Sequence, residues 1–190
     1  MQNIDTSKLA FAPLTISAKG AKQLPALHEN GEPVVFQADE FLDVPFEPSA
    51  FNDSEANRVS LCVTPSPSLC DQIAALDEWC IQTLSANPTN LLGIHLSPAQ
   101  IKDRYVSCLR TSEKGYQTLR VKMNKSGRYA LQCYTPKKER RDHPEIWKDC
   151  LIQPRLIFRG LWLMNKDVGM LLECAHGLIK EGSGADECPF

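Results

Sequence analysis

The spacing of hydrophobic and polar residues changes along the chain. Residues 20–60 hold short apolar runs that prolines interrupt, as in "GEPVVFQADEFLDVPFEPSAFND", which favours edge strands and loops over a long helix. The next segment, "RVSLCVT" at 58–64, alternates between apolar and polar residues and is rich in β-branched side chains. It therefore predicts a strand.

Two helices are predicted after that strand. Apolar residues recur at helical spacing over about 68–86, and Ser66 or Ser68 can serve as the N-cap. A second, shorter helix is predicted over about 97–109. Ser97 and the S-x-x-Q box that it begins mark its start.

The rest of the chain has the period of strands. In "YQTLRVKM", Leu119, Val121 and Met123 share one face, and Arg120 and Lys122 share the other. A glycine turn and the segment "YALQCYT" follow, which predicts a hairpin with a return strand.

A second pair of strands is predicted near the end of the sequence. The segment "QPRLIFRGLWLM" contains Gly160, which indicates a bulge or tight bend, and "MLLECAHGLI" follows after a short turn. Strands punctuated by glycine, with helices between them, predict an α+β chain, mainly β, around a small curled barrel.

Composition places the chain among globular proteins of one domain. It has 190 residues, 43% hydrophobic and 23% charged, with no apolar run of membrane-spanning length and no secretory signal at its start. Its eight cysteines form no CxxC or CxxH pair, and most lie in apolar runs. They are interpreted as small buried residues of a reducing compartment, so a cytoplasmic, non-secreted protein without cofactor or metal is expected. A zinc site built from distant residues is the alternative.

The net charge of −2 conceals an uneven distribution. Residues 1–100 carry four basic and twelve acidic side chains, whereas residues 101–166 carry sixteen basic and six acidic ones. Residues 167–190 are again acidic, with one basic and five acidic side chains. A basic block between acidic blocks is typical of a protein that binds nucleic acid, although ordinary solvated charge is the alternative.

No catalytic motif accompanies this block. The sequence has no GxxxxGK[ST], GxGxxG, GxSxG or HExxH segment. Of the four scattered histidines, His143 and His176 are expected to be surface or hydrogen-bonded structural residues. A non-enzyme is therefore predicted, and catalysis by Cys108 or Cys133 with a histidine is the alternative that the sequence leaves open.

The basic block contains aromatic residues as well as cations. Cations neutralise phosphates and flat rings stack on unpaired bases, which are the two requirements for binding single-stranded nucleic acid. Trp162 and Tyr134 could equally be core residues, whereas Arg120 and Lys122 project from a strand whose other face already supplies the core. The candidate binding residues are Arg104, Tyr105, Lys114, Tyr116, Arg120, Lys122, Lys125, Arg128, Tyr134, Lys137, Lys138, Arg159, Trp162 and Lys166.

The segment from about residue 115 to 180 resembles the C-terminal half of the single-stranded-DNA-binding proteins of phages and large DNA viruses. The likeness lies in "TLRVKM" and in "IFRGLWLMNKDVGMLLECAHGLI", with Gly160, Trp162, Lys166 and Gly169 in the closing pair of strands. Over residues 1–100 only the order of elements matches. The resemblance implies an oligonucleotide-binding (OB) fold, a five-stranded barrel with inserted helices, over residues 1–180.

The last residues, "GADECPF", resemble the acidic tails of bacterial and phage single-strand binders. Asp186, Glu187, Pro189 and Phe190 occupy the positions of acids followed by a terminal aromatic, but Cys188 interrupts the run and the acids are few. The resemblance implies that residues 181–190 form a flexible tail that binds partner proteins.

Together these features predict a protein that coats single-stranded DNA, with RNA as a possible ligand, in viral or phage replication or recombination. The tail would recruit replication or recombination proteins in the host cytoplasm. The alternatives are a virion or regulatory protein whose basic face meets an acidic partner, and a small cysteine-dependent or nuclease-like enzyme.

Overall fold

The computed structural model describes residues 4–18, 20–50, 53–93, 96–165 and 167–181. It is mainly β with helices inserted in the middle of the chain. The helices are α1 Pro67–Ala86, α2 Pro88–Leu92 and α3 Pro98–Arg104, and a 3-10 turn covers Thr6–Lys8. The strands are β1 Leu9–Phe11, β2 Thr15–Ile16, β3 Lys22–His28, β4 Val34–Gln37, β5 Leu42–Asp43, β6 Arg58–Val63, β7 Tyr105–Val106, β8 Leu109–Thr111, β9 Gln117–Asn124, β10 Gln132–Tyr134, β11 Arg140–Arg141, β12 Leu151–Met164 and β13 Asp167–Lys180.

The long antiparallel pair β12 and β13 organises the sheet. One edge of β12 pairs with β3, β4 and β5 in turn, each time antiparallel. The far edge of β13 pairs with β7, β9 and β10, each time in parallel. Strand β6 then adds to β9 antiparallel over six residues. The α+β, mainly β class predicted from the sequence is therefore confirmed.

A closed five-stranded barrel is not confirmed. The described strands form one sheet of thirteen strands, and its ladders do not close on themselves. Two weaker contacts link β5 and the segment that follows it to β6 and its next residue. The Thr64 amide donates to the carbonyl of Asp43 at 2.9 Å, and Ser49 and Ser60 form an isolated bridge.

Helix α1 has the predicted position and cap. The Ser66 hydroxyl accepts from the Leu69 amide at 3.3 Å, and a buried stripe that includes Ile73, Leu76 and Cys80 faces the core. Trp79 on this helix contacts Phe158 of β12 edge-on, with ring centroids 6.2 Å apart. The helix therefore covers the inner face of β12. None of the helices in the described ranges is long and apolar enough to cross a membrane.

The prediction of a helix over 97–109 is wrong at its C-terminal end. The capping box at Ser97 is present, but α3 ends at Arg104 and the chain becomes extended at Tyr105. Tyr105 and Val106 pair in parallel with β13, and the Tyr105 hydroxyl donates to Asp77 of α1 at 2.7 Å. These long-range contacts override the local helical spacing.

The prediction of a hairpin between β9 and the "YALQCYT" segment is also wrong. Strand β10 forms within that segment, but it pairs with β13 and β11 and has no ladder to β9. Both edges of β9 are already occupied, by β6 on one side and by β8 and β13 on the other. The chain therefore continues past β9 and extends the sheet along β13.

The predicted irregularity at Gly160 is confirmed. The register between β12 and β13 shifts between Phe158 and Gly160, and Gly160 has φ +110°. A Cβ at this position would lie 2.0 Å from the carbonyl oxygen of Leu24 on β3. Only glycine permits both the backbone angle and this close approach.

Candidate nucleic-acid interface

The outer surface of β6 and β9 carries the first group of cations. On both strands alternate residues are buried, so the side chains between them point outward. Across the ladder, Cys62 is opposite Arg120, Ser60 is opposite Lys122, and Arg58 is opposite Asn124. The structure thus brings Arg58, which the sequence did not suggest, beside the predicted pair Arg120 and Lys122.

Lys122 is half-buried within this group. Its ammonium donates to the Ser60 hydroxyl at 2.9 Å. Burial, followed by the neighbouring charges of Arg58 and Arg120, lowers the pKa of Lys122. An anion that neutralised these cations would relieve the repulsion, so the site is suited to a phosphate.

A buried acid, Glu173, links Arg58 of β6 to Arg159 of β12. Glu173 of β13 lies next to Lys122 in the ladder, and its side chain is only 9% exposed. Arg159 reaches both of its carboxylate oxygens at 3.3 Å, and Arg58 reaches one of them at 3.3 Å. Both arginines remain about 40% exposed (42% for Arg58 and 40% for Arg159), so Glu173 orients them while leaving guanidinium surface for a ligand.

The same outer face continues along β12. The residues Gln153, Arg155, Ile157 and Arg159 alternate with the buried residues Ile152, Pro154, Leu156 and Phe158. Arg155 is exposed and lies opposite His176 of β13. The sequence analysis named Arg159 but missed Arg155, although the two-residue period of "LIQPRLIFRG" places both on one face.

Two predicted aromatic residues lie on this outer face. Tyr134 alternates with the buried Cys133 on β10, and its ring centroid lies 6.2 Å from that of His176. Trp162 is half-buried and lies so close over Gly169 of β13 that a Cβ there would be 2.3 Å from the indole. Neither ring belongs to the core cluster of the described residues, so both remain candidates for stacking on bases.

Tyr105 has a different environment. Its ring packs against the core, and burial raises the pKa of its hydroxyl, which is hydrogen-bonded to Asp77. Ser107 donates to the other oxygen of Asp77 at 2.5 Å. Tyr105 therefore ties β7 to α1, and half-buried Arg104 ends α3 beside it. This position suits a structural role better than stacking on a base.

The remaining described candidates lie on exposed turns at the margins of the sheet. Tyr116 is 71% exposed, and Tyr129, which the sequence analysis did not name, is 67% exposed and lies under the Arg128 guanidinium at 5.6 Å. Lys166 and the tail residues Asp186, Glu187, Pro189 and Phe190 lie outside the described residues. The exposed turn cations are Lys114, Lys125, Arg128, Lys137 and Lys138.

The environment of the cysteines disfavours a thiolate nucleophile. Burial raises the pKa of Cys108 and of Cys133 to about 12, and it raises the pKa of Cys80 and of Cys174 as well. In the described ranges every cysteine is a free thiol, and no group of three or more His, Cys, Asp or Glu side chains is placed to hold a metal ion.

The fold is that of the phage single-stranded-DNA-binding proteins. A structure of the single-stranded DNA-binding protein from bacteriophage Enc34 in complex with ssDNA superposes with a TM-score of 0.52 at 9% identity, covering 92% of this chain and 98% of that chain. A second structure of the Enc34 protein has a TM-score of 0.50 at 11% identity, covering 95% and 97%.

The gp2.5 protein of bacteriophage T7, a single-stranded DNA binding protein, is also similar to this chain in structure. Its TM-score is 0.52 at 14% identity, covering 82% of this chain and 90% of that chain. No protein-family model and no curated protein matches the sequence. At such identities the comparisons establish the fold, and the resemblance predicted from "TLRVKM" and "IFRGLWLM" is confirmed at that level.

Proposed function

We propose that this protein is a non-enzymatic single-stranded-DNA-binding protein of the phage type. It coats DNA with little sequence preference during replication or recombination. The observation that carries the proposal is the cationic outer face on which Arg58 and Arg159 pair with Glu173 and Lys122 lies next to Glu173 in the ladder. This face occurs in a fold shared with a protein whose structure contains ssDNA.

On this face the cations and the aromatic rings would bind different parts of the nucleic acid. Arg58, Arg120 and Lys122 bind phosphates, because they are the outward cations of two adjacent strands. Tyr134 and Trp162 offer ring faces to unpaired bases, which a duplex keeps stacked in its interior. Stacking of this kind accepts every base, so the expected binding has little sequence preference.

The proposed unit is a five-stranded OB barrel over residues 1–180, followed by a tail. The proposed closure of the barrel is supported by two contacts, that of Asp43 at the end of β5 with Thr64 just after β6, and that of Ser49 with Ser60 of β6. The parallel pairing of β9 with β13 and the antiparallel pairing of β13 with β12 supply the other side of the ring.

A titration of the full chain tests this function. We expect tight binding of a single-stranded oligonucleotide at low salt, with a log–log salt slope of about −3 to −4, because four to six phosphate contacts contribute roughly 0.7 each. Duplex DNA should bind more weakly because its bases are unavailable for stacking. RNA of the same sequence, measured in parallel, determines the preference between the two nucleic acids.

An absence of binding to any single strand at low salt contradicts the proposal. In that case an acidic protein partner becomes the better explanation of the cationic face. Equal affinity for duplex and single strands, with a steep salt slope, contradicts the stacking contribution alone.

We also propose that residues 181–190 act as a tail that binds replication or recombination proteins and competes weakly for the cationic face. Asp186 and Glu187 resemble phosphates in charge, and the glycine–serine linker gives them reach. Phe190 adds an apolar ring near the carboxylates of Asp186 and Glu187, which suits a small pocket with a basic rim on a partner.

Deletion of residues 182–190 should leave binding to single strands intact or slightly tighter at low salt and abolish capture of partner proteins. Phe190→Ala should lose the partners without changing DNA affinity, because the charges remain. Cys188→Ala is the matched control and should keep both activities. Weaker DNA binding after the deletion, or capture of every partner without the tail, would contradict this role.

A further inference from the structure

A cavity of about 370 Å³ opens on the outer face at the other end of β12 and β13. It lies between β4, β12, β13, β10 and the turn after β10. Its wall includes the rings of Tyr134 and His176, the cations Arg155 and Lys138, and the amides of Gln37 and Gln153. Arg155 is separated from Arg159 by one outward residue, so the cavity lies beside the cationic group around Glu173.

One polar atom in the wall of this cavity has no partner. His176 Nδ1 is buried and has no hydrogen-bond partner among the described residues. Burial and the charge of Arg155 lower the pKa of His176, which favours a neutral imidazole. A neutral imidazole has a flat face on which a base can stack.

The cations of this cavity differ from the two arginines at Glu173. Arg159 and Arg58 are paired with Glu173, whereas Arg155 and Lys138 form no ion pair among the described residues. Lys138 is held in a turn with φ +67°, closed by its own amide bonding to the Thr135 carbonyl at 2.8 Å. The Gln153 amide is fixed by donating to the Ala38 carbonyl at 2.9 Å.

We propose that this cavity binds one unstacked nucleotide of the strand, with the base against Tyr134 and His176 and the phosphate between Arg155 and Lys138. The volume lies in the range of small-ligand sites. The inference rests on the proposed function and deepens it. The strand follows β12 from the group around Glu173 into this cavity, so the binding surface extends beyond the β6–β9 face.

The test compares two variants that should lose different parts of the same contact. Tyr134→Leu should weaken binding of a long single-stranded oligothymidylate about 5- to 150-fold and leave the salt slope unchanged, because a stacking partner is lost. Arg155→Gln should make the slope shallower by about 0.7, because a phosphate contact is lost. Phe46→Leu, at an exposed aromatic outside the cavity, is the control and should bind as wild type.

Each outcome decides the proposal. If wild type binds but both folded variants match it in affinity and slope, the cavity is not a nucleotide site, although the proposed function stands. If Tyr134→Leu does not fold, the slope of Arg155→Gln, whose side chain is exposed, decides alone. If wild type binds no single strand, both the function and this inference fail together.

Discussion

Gly160→Ala is expected to lower the free energy of unfolding by about 3 kcal/mol or more. The added Cβ would lie 2.0 Å from the Leu24 carbonyl oxygen and 2.6 Å from the Ala26 amide nitrogen, and these are backbone atoms that cannot rotate away. The residue would also be forced into φ +110°, which side-chain-bearing residues rarely adopt. Urea unfolding followed by circular dichroism measures the change.

Gly127→Ala is the matched control for this variant. Gly127 also has a positive φ, of +86°, but a Cβ there meets no atom within 4 Å. It should therefore lose only about 1 kcal/mol, from backbone strain alone. Equal losses at the two positions would show that the approach of β3 to the bulge is not a steric requirement.

The second large effect is expected in DNA binding. Replacing Arg120 and Lys122 together by alanine should make the salt slope shallower by about 1.4 and weaken binding at low salt, because two phosphate contacts are lost. The Lys122 amine also donates to Ser60, so the melting temperature must be measured alongside the affinity. The double variant tests the centre of the proposed interface.

A charge-matched variant separates this effect from a change in net charge. Lys102 and Lys148 are exposed and project from none of β6, β9, β12 or β13. Changing both to alanine removes the same charge and should leave the slope near that of wild type. An unchanged slope in the Arg120 and Lys122 variant, with the protein folded, would remove this pair from the interface.

The sequence predicted those features that depend on local periods. Alternation in "TLRVKM" was enough to place Arg120 and Lys122 outward, since Leu119, Val121 and Met123 supply the core. The cap at Ser66 and the bulge at Gly160 likewise follow from residues whose local chemistry has few alternatives. The fold class could be predicted because it too depends on the local periods of hydrophobic residues.

The features that were missed depend on which strands meet. The residues around β10 do not indicate that it pairs with β13 instead of β9. Those around Val106 do not indicate that the helix has ended and that Val106 joins the sheet. Glu173 lies in a strand that reads as apolar, and its role depends on Arg58, which is 115 residues away in sequence. Pairing at this range is set by the assembled sheet and cannot be read from either segment alone.

Strand β13 also constrains the order in which the molecule can assemble. The ladder of β6 with β9 and that of β8 with β9 are complete once residue 124 has been synthesised. Strands β7, β9 and β10 gain their parallel neighbour only when β13 exists, and β3, β4 and β5 wait for β12. Closing such long loops costs entropy before any contact forms, so folding is expected to be slow and to wait for β12 and β13. Until β12 and β13 have paired, the apolar inner side of the β6–β9 ladder lacks these strands as neighbours, and a chaperone can bind this exposed surface.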